Sequence, residues 1–277
     1  MRPRAESALT PPVFLCDRAQ LDGDLITLAG AEGRHAATVR RLVPGERVDL
    51  TDGEGLLAEC EVIAARPAAG ELDVAVLARR SEPEAPCPVT VVQAILKGDR
   101  GELAVELMTE VGIDTIVPWA AERCVARWRP DRADKPLQRW RSSAREAAKQ
   151  SRRSRFPEVT GQARTAEVID RVRGAALAVL LDPQAGPTLT GVLRSAARSA
   201  AGSAAGPDAA PGAGAAGPAA GEIVLIVGPE GGVSPTESAE LTAAGAIPAR
   251  LGPSVLRGST AGAVAGALVL SGSARWA

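Results

Sequence analysis

Two stretches near the carboxyl end combine residue types and spacings that can do chemistry. The first, "IVLIVGPEGGVSPTE" (223–237), runs five aliphatic residues into a loop of Val227, Gly228, Pro229, Glu230, Gly231 and Gly232. Its glycines permit positive φ and close approach of the backbone to a ligand. Polyphosphate is a poor fit, because a Walker loop needs G-x-x-x-x-G-K-[ST] and a dinucleotide loop needs G-x-G-x-x-G, and "GPEGG" is neither. Glu230 would repel phosphate as well. A nucleoside with a cationic or zwitterionic tail, such as S-adenosylmethionine, suits the loop better, since backbone N–H and C=O groups can read its base. A tight turn that binds nothing explains the loop equally well when it is taken alone. The second stretch, "ARLGPSVLRGSTAGAVAGALVL" (249–270), repeats the theme: Leu251, Gly252 and Pro253, then Val255, Leu256 and Arg257, then a helix of small residues. Ala261, Gly262, Ala263, Ala265, Gly266 and Ala267 let another segment lie close against that helix.

A third feature is charge. The formal net charge is −1, yet twelve Lys/Arg fall between Arg123 and Arg155, opposed by Asp131, Asp134 and Glu146 alone. Such clustering is the electrostatic footprint of phosphate contacts and points to RNA. Arg123, Arg152, Arg153 and Arg155 are the candidates, with Arg34, Arg40 and Arg41 as a second group nearer the N-terminus. Six aromatic residues and no tyrosine argue against a stacking sheet of the kind that reads single-stranded bases. Cys16, Cys60, Cys87 and Cys124 are far apart, and His35 is the sole histidine. This spacing offers no metal site and no disulfide framework, so the thiols read as reduced and the protein as cytoplasmic. Cys124 reads as a buried apolar thiol, and His35 as structural or RNA-facing. The first residues lack the apolar core of a signal peptide, and no apolar run is long enough to span a bilayer.

The elements that must position these residues form two groups. Over residues 1–80, "DLITLAG", "ERVDLTDGEG", "LLAECEVIAA" and "ELDVAVLARR" alternate with turn signals and predict a small β domain. Between the first two, "EGRHAATVRRLVPGE" predicts a helix with Ala36, Val39 and Leu42 on one face. "SEPEAPCP" (81–88) marks the boundary. From there to 277 the pattern changes to apolar strands ("VTVVQAIL", "DTIVPWAAER", "GAALAVLLDP", "EIVLIVGPE") with helical segments between them, which predicts an α/β domain on a parallel sheet. Gly112 closes the helix after the first of these strands, and "SPTE" is a capping box that starts another, with Ser234 as N-cap and Pro235 in the first turn. An Ala/Gly/Pro-rich insert at about 198–221 has too few large apolar groups to offset its ordering entropy and reads as a disordered loop.

"IVGPEGGVSPTE" followed by "LGPSVLR" and a small-residue helix resembles the bacterial family of 16S ribosomal RNA uracil-N3 methyltransferases, members of the trefoil-knot SPOUT superfamily. "ILKGDRGELAVELMTEVGIDTIVPWAAERCVARW" and "EAAKQSRRSRFPEV" resemble the same family, and "HAATVRRLVPGERVDLTDGEG" its PUA-like β-barrel RNA-binding domain. The resemblance implies a knotted C-terminal domain, a homodimer, and S-adenosylmethionine held by Leu181-Asp182, Val227 to Gly232, and Leu251 to Leu256. It implies the small ribosomal subunit as substrate, with no metal and no membrane. Arg257 is the candidate for stabilising charge on the target base. Ser254 stands where many members have arginine, and Gly258-Ser259 where they have Thr-Glu or Thr-Ser. Two other readings stand beside this one: a non-catalytic ribosome-assembly factor on the same scaffold, and a SPOUT enzyme acting on ribose or transfer RNA.

Overall fold

The computed structural model describes residues 10–128, 133–204, 220–273 and 275–276. Arg129, Asp131 and Arg132 of the basic cluster, and 205–219 of the insert, lie outside them. The described chain forms two compact units.

The first unit comprises the described residues up to Glu84 together with Ala148–Phe156. Its five strands are β1 (Val13–Leu15), β2 (Leu25–Leu28), β3 (Arg47–Thr51), β4 (Leu56–Arg66) and β5 (Glu71–Ser81), in the sheet order β1-β3-β4-β5-β2. All pairings are antiparallel except β1 with β3. Period-2 alternation builds the core: Ile26 and Leu28, Val48 and Leu50, Leu56, Ala58, Cys60 and Val62, Leu72 and Val74 all point inward with Phe14 and Leu21. The downstream segment is fastened by its backbone, with Ser154 O accepting from Gly55 N–H at 3.0 Å and Phe156 N–H donating to Gly53 O at 2.7 Å. Lys149 is buried against Glu32 at 2.9 Å.

The segment after β2 departs from the expected regular helix. Helix α1 (Gly30–Arg34) passes into a wider π-type turn over His35–Val39, in which Arg40 N–H bonds His35 O at 2.8 Å. Ala36 and Leu42 are buried as expected, but Val39 is 69% exposed. The i→i+5 turn adds a residue per turn and rotates Val39 off the face that a 3.6-residue period would give it.

The second unit comprises Ala85–Ala147 and the described residues from Pro157 onward. Its strands are β6 (Val89–Ala94), β7 (Thr115–Trp119), β8 (Glu158–Val159), β9 (Leu177–Leu181), β10 (Ile223–Val227) and β11 (Ile247–Ala249), in the order β11-β9-β10-β6-β7-β8, and every pairing is parallel. The helices are α2 (Arg100–Val111), α3 (Asp134–Gln150, its last three residues counted with the first unit), α4 (Thr165–Gly174), α5 (Leu189–Ala204), α6 (Pro235–Ala243) and α7 (Gly258–Leu270). Helix α5 thus runs into the start of the Ala/Gly/Pro-rich insert. Both faces of the sheet are covered, as a parallel sheet requires. Val89 and Val91 face a core shared with α2 and α7, while Val92 and Ala94 face one shared with α4 and α6. Gly112 ends α2 at φ 102°. On α7, a Cβ at Gly262 would stand 2.8 Å from Met108 Sδ, and one at Gly266 2.5 Å from Ile113 Cδ1, so side chains there would block the approach of α2 and of Ile113 just beyond its end.

Candidate active site

Strands β11, β9 and β10 are neighbours in the sheet and all run the same way, so their three following loops emerge together at the carboxyl edge, where open α/β sheets bind ligands. A cleft of about 770 Å³ opens there, a size suited to a small-molecule ligand. Leu181 and Asp182 line it from the end of β9 and the loop after it, Val227 to Gly232 from the end of β10 and its loop, and Leu251, Gly252, Val255, Leu256 and Arg257 from the loop after β11. The structure therefore brings together residues up to 76 positions apart from Leu181 to Arg257. Pro253 sits exposed on the third loop without lining the cleft.

Local chemistry holds each loop in place. Asp182 Oδ1 accepts the Gln184 N–H at 2.8 Å, and Arg250 Nη1 reaches Ala185 O at 2.8 Å and Gly186 O at 2.7 Å, which joins the first loop to the strand leading into the third. Gly232 adopts φ +72°, and a Cβ on Gly228 would meet Val233 Cγ2 at 2.7 Å, so the tight "GPEGG" turn depends on both glycines. Glu230 turns away from its own loop: Oε1 accepts the Lys97 N–H at 3.3 Å and lies 3.7 Å from Arg100 Nη1. Its charge is thus partly neutralised before any ligand arrives. Ser234 caps α6, accepting the Glu237 N–H at 3.2 Å.

Arg100, Arg123 and Arg257 line the cleft, facing Glu230 and Asp182. Arg257 is the exposed N-cap residue of α7 and makes no capping bond through its side chain. A cation at a helix N-terminus opposes the macrodipole, so its position costs stability and is suited to meeting negative charge in the cleft. Arg123 is exposed in the turn after β7, with Nη1 3.5 Å from Gly231 O. Cys124 beside it is buried, and burial pushes its thiol above the usual range, with the negative charges of Glu237 and Glu230 adding to the effect. A protonated, buried thiol is no nucleophile.

The other basic candidates belong to the first unit. Arg34, Arg40 and Arg41 are exposed, and Arg41 holds a positive φ of 54°, unusual for a side chain of its size. Arg152 is exposed, also at positive φ (58°), and donates to Thr10 O at 3.0 Å. Arg153 is half-buried. Arg155 is fastened within its unit, donating to Glu82 O at 2.9 Å with Glu84 at 3.7 Å. Lys149, one of the twelve cations of the cluster, is spent on Glu32. His35 packs edge-on against Phe14, with ring centroids 5.7 Å apart. Among the described residues no group of His, Cys, Asp or Glu could hold a metal ion. Sequence reasoning missed Leu96 and Arg100 as cleft residues, whereas Ser254 falls within the third loop as expected. Leu96 and Arg100 sit more than 80 positions before Leu181, and no spacing signal links them to the glycine loops.

A parallel sheet with a loop-built cleft at its carboxyl edge, carried with a small β domain, is the architecture of the SPOUT methyltransferase class. The chain belongs to the RNA methyltransferase family: residues 83–270 match the model described as RNA methyltransferase domain, and residues 28–69 the one described as RNA methyltransferase PUA domain. Among curated relatives, the proteins named ribosomal RNA small subunit methyltransferase E of Mycobacterium bovis and Mycobacterium tuberculosis are each 44% identical over 269 residues, covering 95% of this chain and 93% of theirs. The crystal structure of ribosomal RNA small subunit methyltransferase E from Neisseria gonorrhoeae bound to S-adenosyl methionine superposes with a TM-score of 0.74 at 25% identity, covering 95% of this chain and 98% of that one.

Proposed function

We propose that this protein transfers the methyl group of S-adenosylmethionine to N3 of a uridine in the 16S ribosomal RNA of the small subunit. The observation that carries the reading is the cleft itself: three proline- or glycine-bearing loops converge at the carboxyl edge of a parallel sheet, in a chain 44% identical over nearly its full length to small-subunit methyltransferases. Leu181, Asp182, the Val227–Gly232 loop and the Leu251–Leu256 loop hold the cofactor. Backbone groups of the glycine loop read the adenine. Glu230, already turned onto Lys97 N–H and Arg100, leaves the loop free of an unpaired charge.

Methylation of uracil N3 removes an imide proton and places developing negative charge on the two flanking carbonyls while the methyl carbon meets the nitrogen in line. Orientation of the base and stabilisation of that charge are therefore the protein's main contributions. Arg257 supplies the charge term. Arg123, Arg34, Arg40, Arg41 and the Arg152–Arg155 segment supply phosphate contacts. In this reading the protein works in the cytoplasm as a homodimer and the cofactor loops are threaded as a trefoil knot.

Incubation with labelled S-adenosylmethionine and undermethylated small subunits, followed by nucleoside mass spectrometry, is the test. N3-methyluridine is the expected product. A ribose-methylated nucleoside would replace this reading with another SPOUT specificity, and absence of cofactor binding by calorimetry would replace it with a non-catalytic assembly role.

A further inference from the structure

Glu237 is 5% exposed, and among the described residues it forms no ion pair. Burying a carboxylate is costly unless hydrogen bonds replace its hydration. As the third residue of α6 it completes a capping box, but that role uses Oε2 at 3.4 Å from Ser234 N, the longest of its contacts. A glutamine would meet the same need. The better contacts belong to Oε1, which accepts the Glu122 N–H at 2.9 Å and the Thr165 hydroxyl at 2.8 Å. Thr165 is oriented in turn by the Trp119 indole N–H at 3.2 Å. These partners come from segments 115 and 72 residues away. Glu122 is followed directly by Arg123, whose backbone carbonyl would stand 3.3 Å from a Cβ on Gly231.

We propose that Glu237 is a positioning residue: its buried carboxylate ties the helix after the glycine loop to the Glu122–Arg123 turn, and so fixes where the Arg123 guanidinium stands in the cleft. The effect on methyl transfer rests on the function proposed above. The clamp itself does not.

The experiment follows amide exchange at Glu122, thermal stability and methyl-transfer kinetics in Glu237→Ala, Glu237→Gln, Ser234→Ala, Arg123→Ala and the Glu237→Ala/Arg123→Ala pair. Ser234→Ala removes the cap and lowers the melting temperature, with Glu122 exchange, kcat and KM unchanged. Glu237→Ala speeds Glu122 exchange by about tenfold or more and lowers kcat/KM for RNA. Glu237→Gln, which keeps an acceptor for Glu122 and Thr165, restores both. In the Arg123→Ala background, Glu237→Ala costs no further activity, because the clamp acts through that guanidinium. Should Glu237→Ala not fold, Glu237→Asp keeps the charge and draws it back by one methylene, and the same loss of Glu122 protection is expected. Unchanged Glu122 exchange, or losses that add in the double variant, would overturn the proposal. A wild-type protein that transfers no methyl group would remove the proposed function, while the exchange data would still decide the clamp.

Discussion

Gly231 shows how little room the glycine loop leaves. A Cβ there would lie 3.3 Å from Arg123 O and 3.5 Å from Arg123 Cβ, close but bearable for alanine, whereas the branches of a valine would push the Arg123 turn outward. Gly231→Val is expected to weaken S-adenosylmethionine binding by about tenfold or more, equivalent to one lost close contact, with the fold retained. Calorimetry on the folded variant reads this, and unchanged affinity would remove the loop from the cofactor site. Cys16 and Cys60 make a second claim at this scale. Burial pushes the Cys16 thiol up to about 11 and that of Cys60 up to about 12, from an ordinary value of 9.0. Above pH 9 the unfolded chain sheds these protons while the native one keeps them, so stability falls as pH rises from about 9 towards 12. The chain has no tyrosine to mask the effect. Urea midpoints at pH 7 and pH 10.5 should differ in the wild type and differ less in a Cys16→Ala/Cys60→Ala variant once each is normalised to its own neutral value, with the buried Cys124 thiol leaving a residual difference.

Among the elements, α7 is the most tightly constrained. Its small residues are a packing requirement, since Gly262 meets Met108 and Val91, and Gly266 meets the fully buried Ile113. Gly266→Val overpacks this contact and is expected to destabilise the protein by about 1–3 kcal/mol, read as a lower urea midpoint. Gly174 is the control, because a Cβ there meets nothing within 4 Å and its φ is ordinary. Gly174→Ala should be neutral or stabilise by up to about 1 kcal/mol through the unfolded chain. A loss at Gly174 as large as that at Gly266 could not come from helix propensity, which favours both replacements, and would remove close contact with Met108 and Ile113 as the reason for the small residues of α7.

At the scale of the whole molecule the net charge of −1 gives no general pull toward RNA, so binding must come from local cations. Some cations of the basic stretch are already engaged: Lys149 with Glu32, and Arg155 with Glu82 O and Glu84. Arg40 and Arg41 are exposed, and Arg41 is held at a positive φ that costs energy in a non-glycine residue. Replacing both by alanine should weaken binding to small-subunit RNA and flatten the log–log salt dependence by about 0.7–0.9 units per arginine, with cofactor affinity unchanged. An unaltered slope would assign the phosphate contacts to other residues, Arg123 and Arg152 first.

The sequence alone determined what short-range geometry encodes. Five aliphatic residues before "GPEGG" and "SPTE" after it specify strand, turn and capped helix, because apolar burial, glycine φ and the Ser234–Glu237 spacing are all local, and Gly112 marks the end of α2 for the same reason. Period-2 patterning likewise marked β2 to β5, whereas β1, β8 and β11, of two or three residues each, are too short to show a period. Val39 was misplaced because a 3.6-residue period cannot anticipate a π-type turn. Tertiary structure decided what depends on partners distant in the chain: that Leu96 and Arg100 join the glycine loops, that Lys149 is neutralised by Glu32, and that Glu237 reaches Glu122 and Thr165. Nothing in the spacing of those residues constrains their meeting. It follows from strand order and helix packing, which set the neighbours of each side chain only once the whole sheet has formed.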